Sequence, residues 1–213
     1  MRNEPKSKSR NRDETERRIV QAAMDVLAEG GHAEFGVNAI ARHADCDKQL
    51  IYRYFDGLEG LADAIGVRLA SRLEDDLSLI SLESPPTTYH DLMYRLALAL
   101  LETLRSDRVM QRVIAWELSG PSPLVQRMAE ARSRRLGAWM QRMRGDLQPP
   151  PQIDAPAVNA VLIASTQHLV LSASSTGAFA GMALQSEADW DRVRDALKQL
   201  VDAIYATQGE GRR

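Results

Sequence analysis

Lys48, Gln49, Tyr52, Arg53 and Tyr54 fall within one short run, KQLIYRY. Cations, an amide and aromatic hydroxyls are the groups that bond phosphate oxygens and read base edges in a major groove. They can do so only if a rigid element carries them there, and the residues around them encode one. In VNAIARHADCDKQLIYRYF, Val37 to Phe55, Ile40, Ala41 and Ala44 form the apolar face of a first short helix. Cys46 is a small apolar plug in the turn, and Ile51 and Phe55 close a second helix whose other side chains point outward. That is the pattern of a helix-turn-helix, and it predicts DNA binding.

The rest of the chain reads as the helices that hold this pair. Asp13 and Glu16 frame a capping-box-like start, followed by Ile19, Ala22, Ala23, Val26 and Leu27 at helical spacing up to Gly30-Gly31. Asp47 is placed to cap the third helix. Asp56 and Glu59 frame the start of a long fourth, with Leu61, Ile65, Leu69, Leu73 and Leu77 at four-residue steps. Past Pro85-Pro86, Leu92, Met93, Leu96, Leu100, Leu101 and Leu104 give a fifth helix a wide apolar face, placing it at the centre of a core. A sixth runs through Val109, Met110, Val113, Ile114, Trp116 and Leu118 to Gly120-Pro121. Ser122 and Pro123 open a seventh, which ends at Gly145 and the prolines 149 to 151. Ser186 and Asp189 open the last, carrying Trp190, Val193, Leu197, Leu200, Val201 and Ile204. Alternating β-branched runs are nearly absent, so the expected class is all-α, with about nine helices.

Composition bounds the function. Hydrophobic residues at 44% and charged ones at 26% over 213 residues suit an ordinary globular protein with room for a core. The net charge of −2 and pI of about 6.1 exclude a bulk polycation, so any DNA contact must be local. Arg2, Lys6, Lys8, Arg10 and Arg12 against Glu4 alone make residues 1–12 a basic arm without apolar periodicity, expected to be disordered when free. It reads either as a solvated tail or as a phosphate-tracking arm in which Arg10 and Arg12 meet DNA. No apolar run follows the basic start, so no signal peptide is expected. The single Cys46 forbids an internal disulfide and fits a reducing, cytoplasmic compartment.

From Ala155 to Ser186 there is no Asp, Glu, Lys or Arg. Asn159, Thr166, Gln167, His168, Ser172, Ser174 and Ser175 interrupt every window of membrane-spanning length, which argues against a span. The expectation is a helix covered on most sides by its own core and by another subunit, with Ala160, Ala164 and Ser165 allowing close approach. His43 and Cys46 could suggest a thiolate pair or half a metal site, but no second pair of ligands stands nearby. No phosphate-cradling glycine loop or nucleophile motif is present, so neither catalysis, a metal nor a cofactor is expected.

The order of elements, with IVQAAMDVLAEGG, IARHA, LIYRYF and LEGLADAI over about residues 15 to 65, resembles the TetR family of transcriptional regulators. LIYRYF is similar to that family's LYxHF-like signature; beyond residue 65 only length and helix order agree. The resemblance implies that Asn38 lies at the entrance of the second helix and that Lys48, Gln49 and Leu50 face bases. Tyr52 and Tyr54 fall on phosphate-contacting positions, with Arg53 between them free to reach a base or a phosphate. For either tyrosine, capping the small core competes with DNA contact. Asp45-Cys46-Asp47 replaces the family's usual Gly-Val-Ser, so Asp45 must carry a left-handed conformation, and DGLEGL lacks a backbone-touching lysine.

The resemblance further implies a helix-turn-helix domain over 13–57 and an α-helical effector-binding and dimerisation domain over 58–208. It implies a homodimer through the last two helices, a near-palindromic double-stranded operator, and repression relieved by a small molecule that shifts the fourth helix. Tyr94, Trp116 and His168 are polar-tipped groups on mainly apolar helices, with Met128, Met93 and Met110 as adaptable lining for a partly apolar effector. Core packing competes with ligand contact for each of the first three. The alternative function is an all-α dimeric small-molecule-binding or interaction protein with a weakened DNA-binding head.

Overall fold

Helical periodicity and end signals translate into nine α-helices among the described residues. The computed structural model describes residues 5–81 and 85–205, with side chains over 11–78 and 85–205. Arg2, Glu4 and the expected domain end at 208 lie outside these. In chain order the elements are α1 (Pro5–Gly30), a 3-10 turn (Gly31–Ala33), α2 (Val37–His43), α3 (Lys48–Phe55), α4 (Leu58–Ser81), α5 (Tyr89–Ser106) and α6 (Arg108–Ser119). There follow α7 (Pro123–Arg144), α8 (Ala155–Ser175), strands β1 (Ala178–Phe179) and β2 (Met182–Ala183), and α9 (Glu187–Tyr205).

Local chemistry sets most of these ends. Thr88 caps α5 by accepting from the Asp91 N–H at 3.0 Å, and Asp154 caps α8 by accepting from the Ala157 N–H at 3.1 Å. At α9, Ser186 Oγ accepts from the Asp189 N–H at 3.2 Å while Asp189 Oδ2 accepts from the Ser186 N–H at 2.9 Å, a reciprocal box. These donors hold the Asp189 carboxyl below its ordinary range, the Ser186 backbone first among them.

Three boundaries differ from the sequence reading. α1 starts at Pro5 rather than near Asp13, so residues 5–12 are helical and not the unstructured arm expected. A helix already nucleated by its packed part extends at little further cost, and Arg12 supports Glu16 one turn on at 2.8 Å. Asp56 does not open α4: at φ 57 it is the left-handed C-cap of α3. The uncharged stretch is not one helix. α8 stops at Ser175, where the Gly177 N–H turns back to the Ser172 carbonyl at 3.0 Å, and a two-stranded hairpin follows with Ala180 at φ 49 and Gly181 at φ 81.

The chain forms two compact units. The first comprises α1 to α3, α4 through Ser71, α6, and α7 through Arg135; the second comprises 72–107 and residues from 136 on. The first unit thus groups α6 and the first part of α7 with the helix-turn-helix. The first unit's core holds Ile19, Leu27, Ile40, Ile51, Leu61, Ile65 and Met128, all fully buried. Each such side chain contributes about 1.5–3 kcal/mol by leaving water.

In the second unit α5 packs against both α8 and α9, burying Leu92, Leu96, Leu101 and Leu104, as its wide apolar face required. Buried Tyr205 donates to Asn159 Oδ1 at 2.8 Å, and Asn159 donates to the Tyr89 hydroxyl at 3.3 Å, which pairs one of α8's polar interruptions. Burial pushes the Tyr205 hydroxyl up to about 12. α8 is the one helix among those described that is long and apolar enough to cross a membrane. Within this chain its buried side chains are Ala155, Leu162, Thr166 and Val170, while Val161 is 68% and Ile163 43% exposed.

Candidate nucleic-acid interface

α2 and α3 are too short to be stable alone, so their geometry depends on the turn and on the core beneath them. Asp45 adopts φ 47, the left-handed conformation required where a glycine would be more usual. The Cys46 N–H donates to the Ala41 carbonyl at 3.0 Å, folding the turn back onto α2. Asp47 then caps α3, its carboxylate accepting from the Gln49 N–H at 2.8 Å. Replacing Asp47 with alanine is expected to lower stability by about 1 kcal/mol. Thermal unfolding of the two proteins checks this, and an unchanged midpoint would show that the cap contributes nothing. Burial pushes the Cys46 thiol up, with Asp47 and Asp45 adding to this and Arg18 opposing it, so the thiolate that redox chemistry needs is disfavoured.

Ile51 is fully buried and fixes which side of α3 faces outward. Lys48, Gln49, Tyr52 and Arg53 are exposed there, Tyr52 at 56%, while Leu50 and Tyr54 are half-buried. Asn38 is exposed at the start of α2. Tyr54 lies between two cations: the guanidinium of Arg53 is 6.0 Å from its ring centroid and that of Arg12, from α1, is 5.6 Å away. Arg12 and Arg53 thus both approach the Tyr54 ring near the C-terminal end of α3. Arg10 lies on the same helical extension, but its side chain is outside the described residues.

Sequence reasoning did not find two glycines that set this geometry. A Cβ at Gly60 would stand 2.0 Å from the Phe55 carbonyl oxygen, so α4 leaves the recognition helix with backbone against backbone. A Cβ at Gly66 would stand 2.3 Å from the Met128 carbonyl oxygen, which brings α4 equally close to α7. The only available signal was glycine inside a helical pattern, which costs about 1 kcal/mol relative to alanine and so wants a packing reason.

The four candidate ligand residues do not gather in either unit. Trp116 and Met128 are buried side chains of the first; Tyr94 and His168 belong to the second. Tyr94 is half-buried with the Lys198 ammonium 5.8 Å from its ring centroid, and exposed His168 meets Phe179 of the hairpin edge-on at 4.5 Å.

Comparison with known proteins agrees with this geometry. Residues 19–65 match the model for bacterial regulatory proteins of the tetR family. A relative in Mycobacterium tuberculosis, described as an uncharacterized HTH-type transcriptional regulator, is 27% identical over 77% of this chain and 89% of its own. Among solved structures, the fatty acid degradation regulator FadR of Bacillus halodurans superposes with a TM-score of 0.64 at 16% identity, covering 88% of this chain and 94% of that one. The multidrug binding protein EbrR complexed with malachite green gives 0.59 at 19% identity, over 90% of this chain and 98% of that one. Residues 19–65, which carry α2, α3 and the buried Ile51, are thus similar to the DNA-binding region of the tetR family of bacterial regulatory proteins, and the all-α frame around them has the fold of solved TetR-family regulators.

Proposed function

We propose that the protein is a homodimeric repressor that leaves a near-palindromic operator when a partly apolar small molecule binds its second unit. The observation that carries this reading is the outward face of α3, where Lys48, Gln49, Tyr52 and Arg53 stand clear of the core that Ile51 anchors. Two such helices related by a two-fold axis would enter successive major grooves about 34 Å apart. Asn38 and Leu50 would add base contacts, and Tyr54, Arg53, Arg12 and Arg10 phosphate contacts. Such a protein acts in the cytoplasm, where its DNA is.

The dimer is supported by apolar surface that one chain leaves uncovered. Val161 and Ile163 of α8 and Leu200 of α9, 48% exposed, lie on helices that show no charge or a neutral stripe on that side. Surface of this kind marks an association site when it is contiguous. The effector is supported by analogy with EbrR, a fold relative that holds malachite green. Here it would be taken up by the helices of the second unit, with Tyr94 and His168 as candidate contacts. The alternative of a weakened DNA-binding head is not favoured, since the relatives are described as transcriptional regulators.

The test is binding of the purified protein to DNA flanking its own gene, with unrelated DNA as competitor and salt as the variable. Specific binding is expected, with log affinity falling linearly in log salt concentration. Sequence-blind binding there and at every other site in a genomic selection would sink the proposal. With an operator in hand, release by hydrophobic dyes and acyl compounds tests the effector.

A further inference from the structure

Trp116 stands on α6, is 9% exposed, and has two rings of the first unit against its own. Its indole stacks on the His32 ring, centroids 5.7 Å apart and planes at 21°, and meets the Phe35 ring edge-on at 5.7 Å and 62°. His32 and Phe35 both lie in the segment that joins α1 to α2. This segment turns sharply at Gly31, φ 65, and is extended at Gly36. Gly36 is also the N-cap of α2, and no side chain caps it. The start of α2 therefore has no local lock, and α2 is only seven residues long. α2 packs on α1 and α3, and what fixes the segment that leads into it adds to the setting of its entry angle.

We propose that Trp116 is a positioning residue for operator recognition: clasped by His32 and Phe35, it fixes the orientation of the helix-turn-helix upon α6. α6 is suited to be the fixed post. It packs along α1, with Val109 and Val113 buried. Glu117, next to Trp116, bonds the mostly buried Arg132 of α7 at 2.8 and 3.0 Å. α7 is tied in turn to α4, where Arg127 meets Glu59 and Asp63 at 2.9 Å each and the Gly66 contact leaves no slack. These contacts all lie within the first unit, so the segment leading into α2 is braced by α6, and α6 by α7, beside the packing of α2 on α1 and α3. The inference rests on the DNA-binding reading and adds that the angle of the reading head depends on this one indole as well as on the packing of α2 upon α1.

The experiment uses full-length protein and two substitutions, Trp116→Phe and His32→Ala, the latter at an exposed side chain whose loss leaves the core intact. Amide hydrogen exchange over residues 31–38 is expected to speed up about threefold to tenfold in both, the range an aromatic pair is worth, with α5 unaffected. Binding is then measured on the operator and on versions with one base pair added or removed between half-sites. Both variants should bind the natural spacing more weakly and discriminate less against the altered ones, which lost stability alone would not do. His32→Phe should restore both. Unchanged exchange in the turn, or unchanged spacing discrimination in both variants, overturns the proposal. If the wild type shows no operator at all while exchange still responds, the regulator reading is what failed, and the clasp is reduced to a structural contact.

Discussion

Lys48→Ala is expected to lower operator affinity by about 1–3 kcal/mol per half-site, the range for a good side-chain contact to a base edge. In a two-fold complex both half-sites are struck, so the measured loss is the larger for it. Lys48 is the first residue of α3, exposed, and directly follows the Asp47 cap that fixes where the helix begins. Its role can be read from the form of the loss. A base contact relaxes the sequence preference at one operator position; a phosphate contact weakens all sequences alike and reduces the salt slope by about 1. Tyr52→Phe removes only a hydroxyl, because the ring itself rests over the turn, 3.6 Å from where a Cβ at Gly57 would sit. A loss of about 1.5–3 kcal/mol is expected if that hydroxyl bonds a charged phosphate. Filter binding or anisotropy across a salt series measures both variants. If each binds as tightly as wild type with the same slope, the outward face of α3 has been misassigned.

The second large effect concerns backbone approach, and here two glycines of similar sequence context should behave oppositely. Gly66→Ala is expected to destabilise the protein. The new methyl would sit 2.3 Å from the Met128 carbonyl oxygen and 3.0 Å from the Ala131 side chain, so a helix backbone must move. Overpacking of this kind costs about 1–3 kcal/mol. The gain in helix propensity, about 1 kcal/mol, does not offset it. Gly137→Ala, on α7 with nothing within 4 Å of the added Cβ, should instead stabilise by the propensity gain alone. At about 2–4 °C per kcal/mol for a chain this size, calorimetry separates the two. Equal shifts of the same sign would show that the α4–α7 approach is not tight.

Much of the local architecture was legible because its causes are local. Asp45 had to be left-handed because the turn between α2 and α3 demands it, and Asp47 had to cap because its carboxylate sits two residues before a free N–H. Ser186 and Asp189 announced α9 for the same reason. Ile51 against the row of polar residues around it showed which face of α3 is outward, since helical phase alone carries that information. Asp56 shows where this stops. An acid beside a helix start reads as an N-cap, but the same residue tolerates φ > 0, and the need to end α3 decided its role.

By itself the sequence determined the all-α class, the helix-turn-helix and the residues it presents outward, because periodicity and end chemistry act within a few residues of each other. Tertiary structure alone decided where Trp116 and Met128 are buried. Nothing local shows that the Trp116 indole meets His32 and Phe35, or that the backbone of Met128 closes on Gly66, within the unit that holds the helix-turn-helix. Tertiary structure also grouped α6 and the first part of α7 with the helix-turn-helix, and left Val161 and Ile163 of α8 exposed. Such partners lie far apart along the chain, and no local pattern records which apolar surface will meet which. That choice is made collectively, by the shape of the whole core and the close approach that two glycines allow.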